Sequence, residues 1–142
     1  MSAILLVEDD LDIRIDLADL LRGEGYEVAT AANGQEALEW LSQHGPEVGL
    51  ILLDLMMPVM NGWDFRSRQL EEPELNAIPV VLLSGAGDVA RHALALKTAG
   101  YLIKPLRLDS LLRVVSRLCP PGSNGSNGSN GSNGSNGSSD SS

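Results

Sequence analysis

The chain reads as an α/β protein, a parallel sheet of five strands with helices on both faces. Three observations carry that reading. Short apolar runs alternate strictly with stretches of helical periodicity. The apolar runs are continuous rather than alternating, as in strands covered on both sides. Polar groups able to do chemistry stand at the carboxyl ends of those runs, where such sheets carry their sites.

The elements follow in order. AILLV (3–7) is a continuous apolar strand. Ile13, Leu17, Leu20 and Leu21 then recur at helical spacing, and Gly23 and Gly25 stop that helix. YEVATA (26–31) alternates weakly, as a strand nearer a sheet edge would. Asn33 can cap a helix running through Leu41, with Ala37, Leu38 and Leu41 inward. VGLILLDL (48–55) is the most apolar run and belongs at the centre. A helix is expected over 63–70, a strand over 78–84 and a helix over 88–98. YLIK (101–104) is a fifth strand, and 107–118 a last helix with Leu108, Leu111, Leu112, Val115 and Leu118 inward.

Composition bounds the rest. The chain has 142 residues, enough for one ordinary domain. From Gly122 it becomes GSNGSNGSNGSNGSNGSSDSS, with nothing to bury, so a folded part over 1–121 and a flexible tail or linker over 122–142 are expected. The formal charge is −9, and removing the tail's Asp140 leaves −8 on the folded part. That balance argues against nucleic-acid binding through a basic face. No apolar run approaches a membrane span, and no signal-peptide pattern follows Met1. The single Cys119 permits no internal disulfide and fits a reducing, cytoplasmic setting.

The question is what ends each strand. Glu8, Asp9 and Asp10 follow the first; Asp54 ends the third; Ser84 the fourth, before Gly85-Ala86-Gly87; Lys104-Pro105 the fifth. The second offers only alanines. Each residue has a plainer role available. Asp9 or Asp10 could cap a helix, Asp54 could serve the turn before Met56-Met57-Pro58, Ser84 could be a loop serine and Lys104 a surface lysine. Together they have a chemistry. Clustered carboxylates repel one another and call for a cation. Mg²⁺ is a hard ion that takes a few carboxylates and shares phosphate oxygens. A carboxylate can attack phosphorus and form an aspartyl phosphate. A lysine and a hydroxyl would steady the transferred oxygens.

The stretches LLVEDDLDIR, LDLMMPVMNGWDF, VVLLSG and YLIKP resemble the receiver domain of bacterial two-component response regulators, over nearly all of residues 3–119. The resemblance implies the flavodoxin-like fold with strand order 2-1-3-4-5. It makes Asp54 the phosphoacceptor, and aligns the acid pair with Glu8 and Asp9, since Arg14 stands at the family's usual offset from the second acid. Asp10 is left to start the helix. Asp9 and Asp54 would bind Mg²⁺ directly with the Met56 backbone carbonyl, and Glu8 through water. Ser84 matches the switch hydroxyl, Lys104 the family's lysine and Tyr101 the switch aromatic. Pro105 would follow a cis bond, and Pro58 and Gly62 fit the loop after the phosphoacceptor. The partners implied are a histidine kinase or a histidine phosphotransfer protein, and an unknown downstream protein. The expected function is a stand-alone phosphorelay receiver, not a general enzyme, catalysing only its own phosphorylation and dephosphorylation. A receiver fragment of a larger protein, or a phosphorylation-independent module, is the alternative.

Two departures from the family pattern stand out. KTAGYLIKP is about two residues short before Tyr101, on a face many receivers use for partners, which leaves a monomer or weak dimer as the expectation. Only the repeat follows the resembling stretch in this sequence, so output is expected to pass through protein contacts, or the chain is a piece of a larger protein. Other classes fit less well. Aspartyl-nucleophile phosphohydrolases usually carry a second acid two residues after the nucleophile, where this chain has Met56. A flavin or nucleotide domain would need a phosphate-cradling loop where this chain has EDDLD, and His92 sits in a plain helical context. Met56 and Ala86 occupy positions that help set phosphoryl loss in the family, and neither positions a water well, so slow self-dephosphorylation is expected.

Overall fold

The computed structural model describes residues 3–85 and 89–119. Ala86, and the expectation attached to it, lies outside the described residues, as does the repeat from 122. Five strands alternate with five helices: β1 (Ala3–Val7), α1 (Leu11–Gly23), β2 (Glu27–Ala31), α2 (Gly34–His44), β3 (Val48–Asp54), α3 (Gly62–Glu71), β4 (Val80–Ser84), α4 (Val89–Ala95), β5 (Gly100–Ile103) and α5 (Leu108–Leu118). The strands are all parallel, in the order β2-β1-β3-β4-β5. The expected order is therefore found, with β3 central and β2 at an edge.

The two-residue period of the strands sorts the core into two layers. Ile4, Leu6, Leu50, Leu52, Val81 and Leu83 face α1 and α5. Leu5, Val7, Ile51, Leu53, Val80 and Leu82 face the other way, where Phe65 of α3 is completely buried among them. Each central strand is thus covered on both sides, and this is why its sequence does not alternate. The helix starts are fixed by side chains. Asp10 accepts from the Ile13 N–H at 3.0 Å, Asn33 from Glu36 at 2.9 Å and Asn61 from Asp64 at 2.9 Å.

Three expectations need correction. Leu108 is not inward: it is 51% exposed at the first turn of α5, and Leu111 and Val115 carry the buried stripe. A single 3₁₀ turn, Gly45–Glu47, precedes β3 where no element was foreseen. And α4 does not run to residue 98. It ends at Ala95, because Lys97 takes a left-handed φ of 56°. The Thr98 N–H then closes on the Ala93 carbonyl at 3.0 Å and that of Lys97 on Leu94 at 3.2 Å. This is a Schellman closure with a lysine where glycine is usual.

The carbonyls at that end have a further partner. Arg66 of α3 is buried, and its Nε donates to the Leu96 carbonyl at 3.0 Å and its Nη2 to that of Lys97 at 2.8 Å. Its Nη1 donates to Gln69 Oε1 at 2.7 Å, and Gln69 donates in turn to the Leu75 and Ile78 carbonyls. A buried guanidinium thus fastens α3 to the short α4 at the negative end of its dipole. Burial lowers the pKa of Arg66, which this arrangement tolerates. The segment leading to Tyr101 is thereby fastened to α3 at Leu96 and Lys97.

Candidate functional site

Parallel register brings the strand ends together. Val7 of β1 stands beside Leu53, Asp54 beside Leu83, and Ser84 beside Ile103. Glu8, one residue past β1, keeps its N–H on the Ala31 carbonyl at 3.0 Å, and the Lys104 N–H donates to the Ser84 carbonyl at 2.9 Å. The sheet therefore delivers Glu8, Asp54, Ser84 and Lys104 to one edge. The Lys104-Pro105 peptide is cis.

Carboxylate oxygens of Glu8, Asp9 and Asp54 lie within 4.8 Å of one another. Glu8 and Asp54 are buried, and Asp9 is exposed at the mouth. The Lys104 Nζ sits 2.7 Å from Glu8 Oε1 and 3.5 Å from Asp54 Oδ1. Among the described residues, this ammonium pairs with two of the three clustered acids, so positive charge is short. The consequence appears on Asp54, whose pKa is pushed from 3.8 up to about 7. Burial is the main cause and the Glu8 charge the next, with Lys104 and the Met56 N–H, 3.4 Å from Oδ1, opposing. Lys104 moves upward too: its pairing with Glu8 and Asp54 outweighs its own desolvation. Tight, mutually repelling carboxylates with one buried oxygen-rich face are the donor set a hard dication takes.

The loop after Asp54 is shaped to close behind it. The Gly62 N–H donates to the Leu55 carbonyl at 2.9 Å. A Cβ on Gly62 would stand 2.7 Å from the Asp54 carbonyl oxygen and 2.8 Å from Leu55 Cα, so no side chain fits there. Between them, Val59 adopts a φ of 67° while the Met60 N–H reaches the Pro58 carbonyl at 2.7 Å. That is a γ-turn, a strained conformation for a β-branched residue. It turns Val59 outward, 83% exposed, and leaves Met56 at 64%. Asp9, Met56, Met57, Pro58, Asn61 and Trp63 line the shallow depression beside the acids. Trp63 packs edge-on against His92 of α4, with ring centroids 5.3 Å apart.

Ser84 is buried at the end of β4, and Tyr101 is 42% exposed on the edge strand β5. The structure thus brings together Glu8, Asp9, Asp54 and Lys104, with Ser84 at the end of the strand between β3 and β5; Tyr101 lies at the outer edge. Sequence reasoning did not single out the role of Arg14. Its Nη1 donates to the Glu8 carbonyl at 2.7 Å and approaches that of Asp9 at 3.5 Å.

Residues 4–116 match the response regulator receiver domain family, and the chain belongs to it. Among relatives, it is 39% identical over 118 residues to the two-component response regulator ORR3 of Oryza sativa, covering 82% of this chain and 86% of that protein. It is 34% identical over 113 residues to the transcriptional regulatory protein PdtaR of Mycobacterium tuberculosis, covering 79% of this chain. There it spans about half of the relative's length, 54%. Among solved structures, the chemotaxis response regulator CheY4 of Vibrio cholerae superimposes with a TM-score of 0.75 at 30% identity, over 83% of this chain and 98% of that one. Receivers act as signalling modules of two-component systems, bind Mg²⁺ at an acidic pocket and interact with histidine kinases and other proteins. Among the described residues no helix is long and apolar enough to cross a membrane.

Proposed function

We propose that Asp54 accepts a phosphoryl group from a histidine kinase or a histidine phosphotransfer protein, and that the modified site changes which downstream protein the chain binds. The observation that carries this is the buried Asp54 carboxylate, set among Glu8, Asp9 and Lys104 on adjacent strand ends. Asp9, Asp54 and the Met56 backbone carbonyl would hold Mg²⁺, with Glu8 acting through water. The bound ion would neutralise charge on the phosphoryl oxygens.

The chain's own groups do the rest. An Asp54 carboxylate oxygen attacks phosphorus in line, the bond from phosphorus to the donor imidazole nitrogen breaks, and that nitrogen leaves with the electron pair. Lys104 shifts from Asp54 Oδ1 to a phosphoryl oxygen, and the Ser84 hydroxyl donates to another. Drawing Ser84 inward would repack the surface toward Tyr101. The catalysis is limited to the chain's own phosphorylation and dephosphorylation. The unit that performs it is residues 1–121, with 122–142 as a linker or tail, in the cytoplasm and as a monomer or weak dimer. Loss of the phosphoryl group is slow, since the Met56 thioether, at best a weak acceptor, positions a water poorly.

The test is intact mass after incubation with Mg²⁺ and acetyl phosphate. The expected result is one added phosphoryl group, absent in Asp54→Asn and absent without Mg²⁺. No addition under any condition, or addition that survives Asp54→Asn, overturns the proposal.

A further inference from the structure

Arg14 belongs to neither the acids nor the phosphoryl-binding groups, yet its guanidinium grips the loop that carries two of the three acids. Its Nη1 donates to the Glu8 carbonyl at 2.7 Å and lies 3.5 Å from that of Asp9. Its own N–H is anchored on the Asp10 carbonyl at 2.9 Å, in the first turn of α1. The rest of the loop shows why this grip matters. Glu8 is held by several partners: Ala31 takes its N–H, the Asp10 N–H reaches its Oε2 at 3.2 Å, and Lys104 pairs with its Oε1. Asp9 is exposed and stands between two well-fastened residues. Its carboxylate keeps its place near Glu8 and Asp54 only while the backbone beneath it is fixed.

We infer that Arg14 is a positioning residue for the metal ligands, setting Mg²⁺ affinity by fixing the Glu8–Asp9 backbone rather than by touching the phosphoryl group. This rests on the Mg²⁺ reading above. Two effects of Arg14 oppose each other. Its positive charge near the acids repels a dication, so charge alone predicts that removing it tightens Mg²⁺ binding. Its hydrogen bond orders the ligands, so geometry predicts that removing it weakens binding. Supporting contacts behind metal ligands are typically worth 10–100-fold in affinity. The guanidinium is only partly buried, which softens both terms, the Coulombic one more, because water screens charge but not backbone geometry. Geometry wins.

The experiment is calorimetric Mg²⁺ titration of the full chain as wild type, Arg14→Ala and Arg14→Lys, with circular dichroism as the check on folding. The expected result is a half-saturating Mg²⁺ concentration raised about tenfold in Arg14→Ala and largely restored in Arg14→Lys, which keeps a donor. At saturating Mg²⁺, acetyl phosphate labelling of Arg14→Ala should reach nearly the wild-type rate, separating ligand positioning from phosphoryl transfer. A folded Arg14→Ala that binds Mg²⁺ as tightly as wild type, or more tightly, overturns the inference. Should that variant not fold, Arg14→Met, which keeps the length of the side chain and removes the donor, carries the same comparison. Wild type that binds no Mg²⁺ defeats the reading of the site itself, a separate outcome.

Discussion

Replacing Asp54 by asparagine should stabilise the metal-free protein, and by an amount that depends on pH. In the unfolded chain an aspartate ionises near 3.8, whereas in the fold burial and Glu8 hold the Asp54 proton until about 7. Below pH 4 both states are protonated and the group contributes no difference. As pH rises from about 4 to about 7 the unfolded chain releases this proton while the fold retains it, so the fold loses stability through that window. Above it, folding forces a charge among Glu8 and Asp9. A gap of about three pH units at ~1.4 kcal/mol each sets an upper bound of about 4 kcal/mol. Asparagine has the shape of the protonated acid and never ionises. Urea melts in EDTA should therefore show Asp54→Asn more stable than wild type by up to about 4 kcal/mol at pH 8, shrinking to about 1–2 kcal/mol at pH 5. Added Mg²⁺ should close the gap by stabilising wild type alone. A gain of equal size at pH 5 and pH 8, or a less stable variant at pH 8, would refute the electrostatic reasoning.

Three further outcomes follow from the same structure. Val59→Gly, at a φ of 67°, should raise stability by about 1 kcal/mol, left-handed strain exceeding the entropy glycine costs; a lower midpoint in urea would count against the γ-turn. Arg66→Met should cost about 2 kcal/mol and speed amide exchange at Leu96 to Thr98, because one buried and two partly buried acceptors lose their donor; a neutral result would mean that desolvating the guanidinium cancels its bonds. Tyr26 is pushed up to about 12, chiefly by burial, so stability is fully present below pH 10 and falls as pH rises toward 12, and the phenolate absorbance of Tyr101→Phe should appear only in that upper range.

The sequence was informative wherever a residue type has one affordable place. Continuous apolar runs need cover on both sides, so the five strands and their centre could be read directly. Asn33 before a helical pattern marked a cap that the fold confirms in place. The acids, Ser84 and Lys104 were legible because each ends a strand, and parallel strands align their ends. What escaped notice depended on tertiary context. Arg66 looks like any surface arginine until α4 presents carbonyls to it. Lys97 closes a helix in a conformation that composition assigns to glycine, so the helix reads longer than it is. Leu108 fits the apolar stripe of α5 but stands at its first turn, where it is exposed. Val59 carries no sign of its positive φ, because the turn is imposed by Pro58 and Met60 on either side.

The central claim is that one carboxylate, Asp54, receives the phosphoryl group. The most direct test is to label the protein with acetyl phosphate and Mg²⁺, reduce the acyl phosphate with borohydride, and sequence the peptides by mass spectrometry. The account predicts conversion at Asp54 alone, with Glu8 and Asp9 unchanged. Conversion at Asp9, at Glu8 or at a residue away from the strand ends would contradict it.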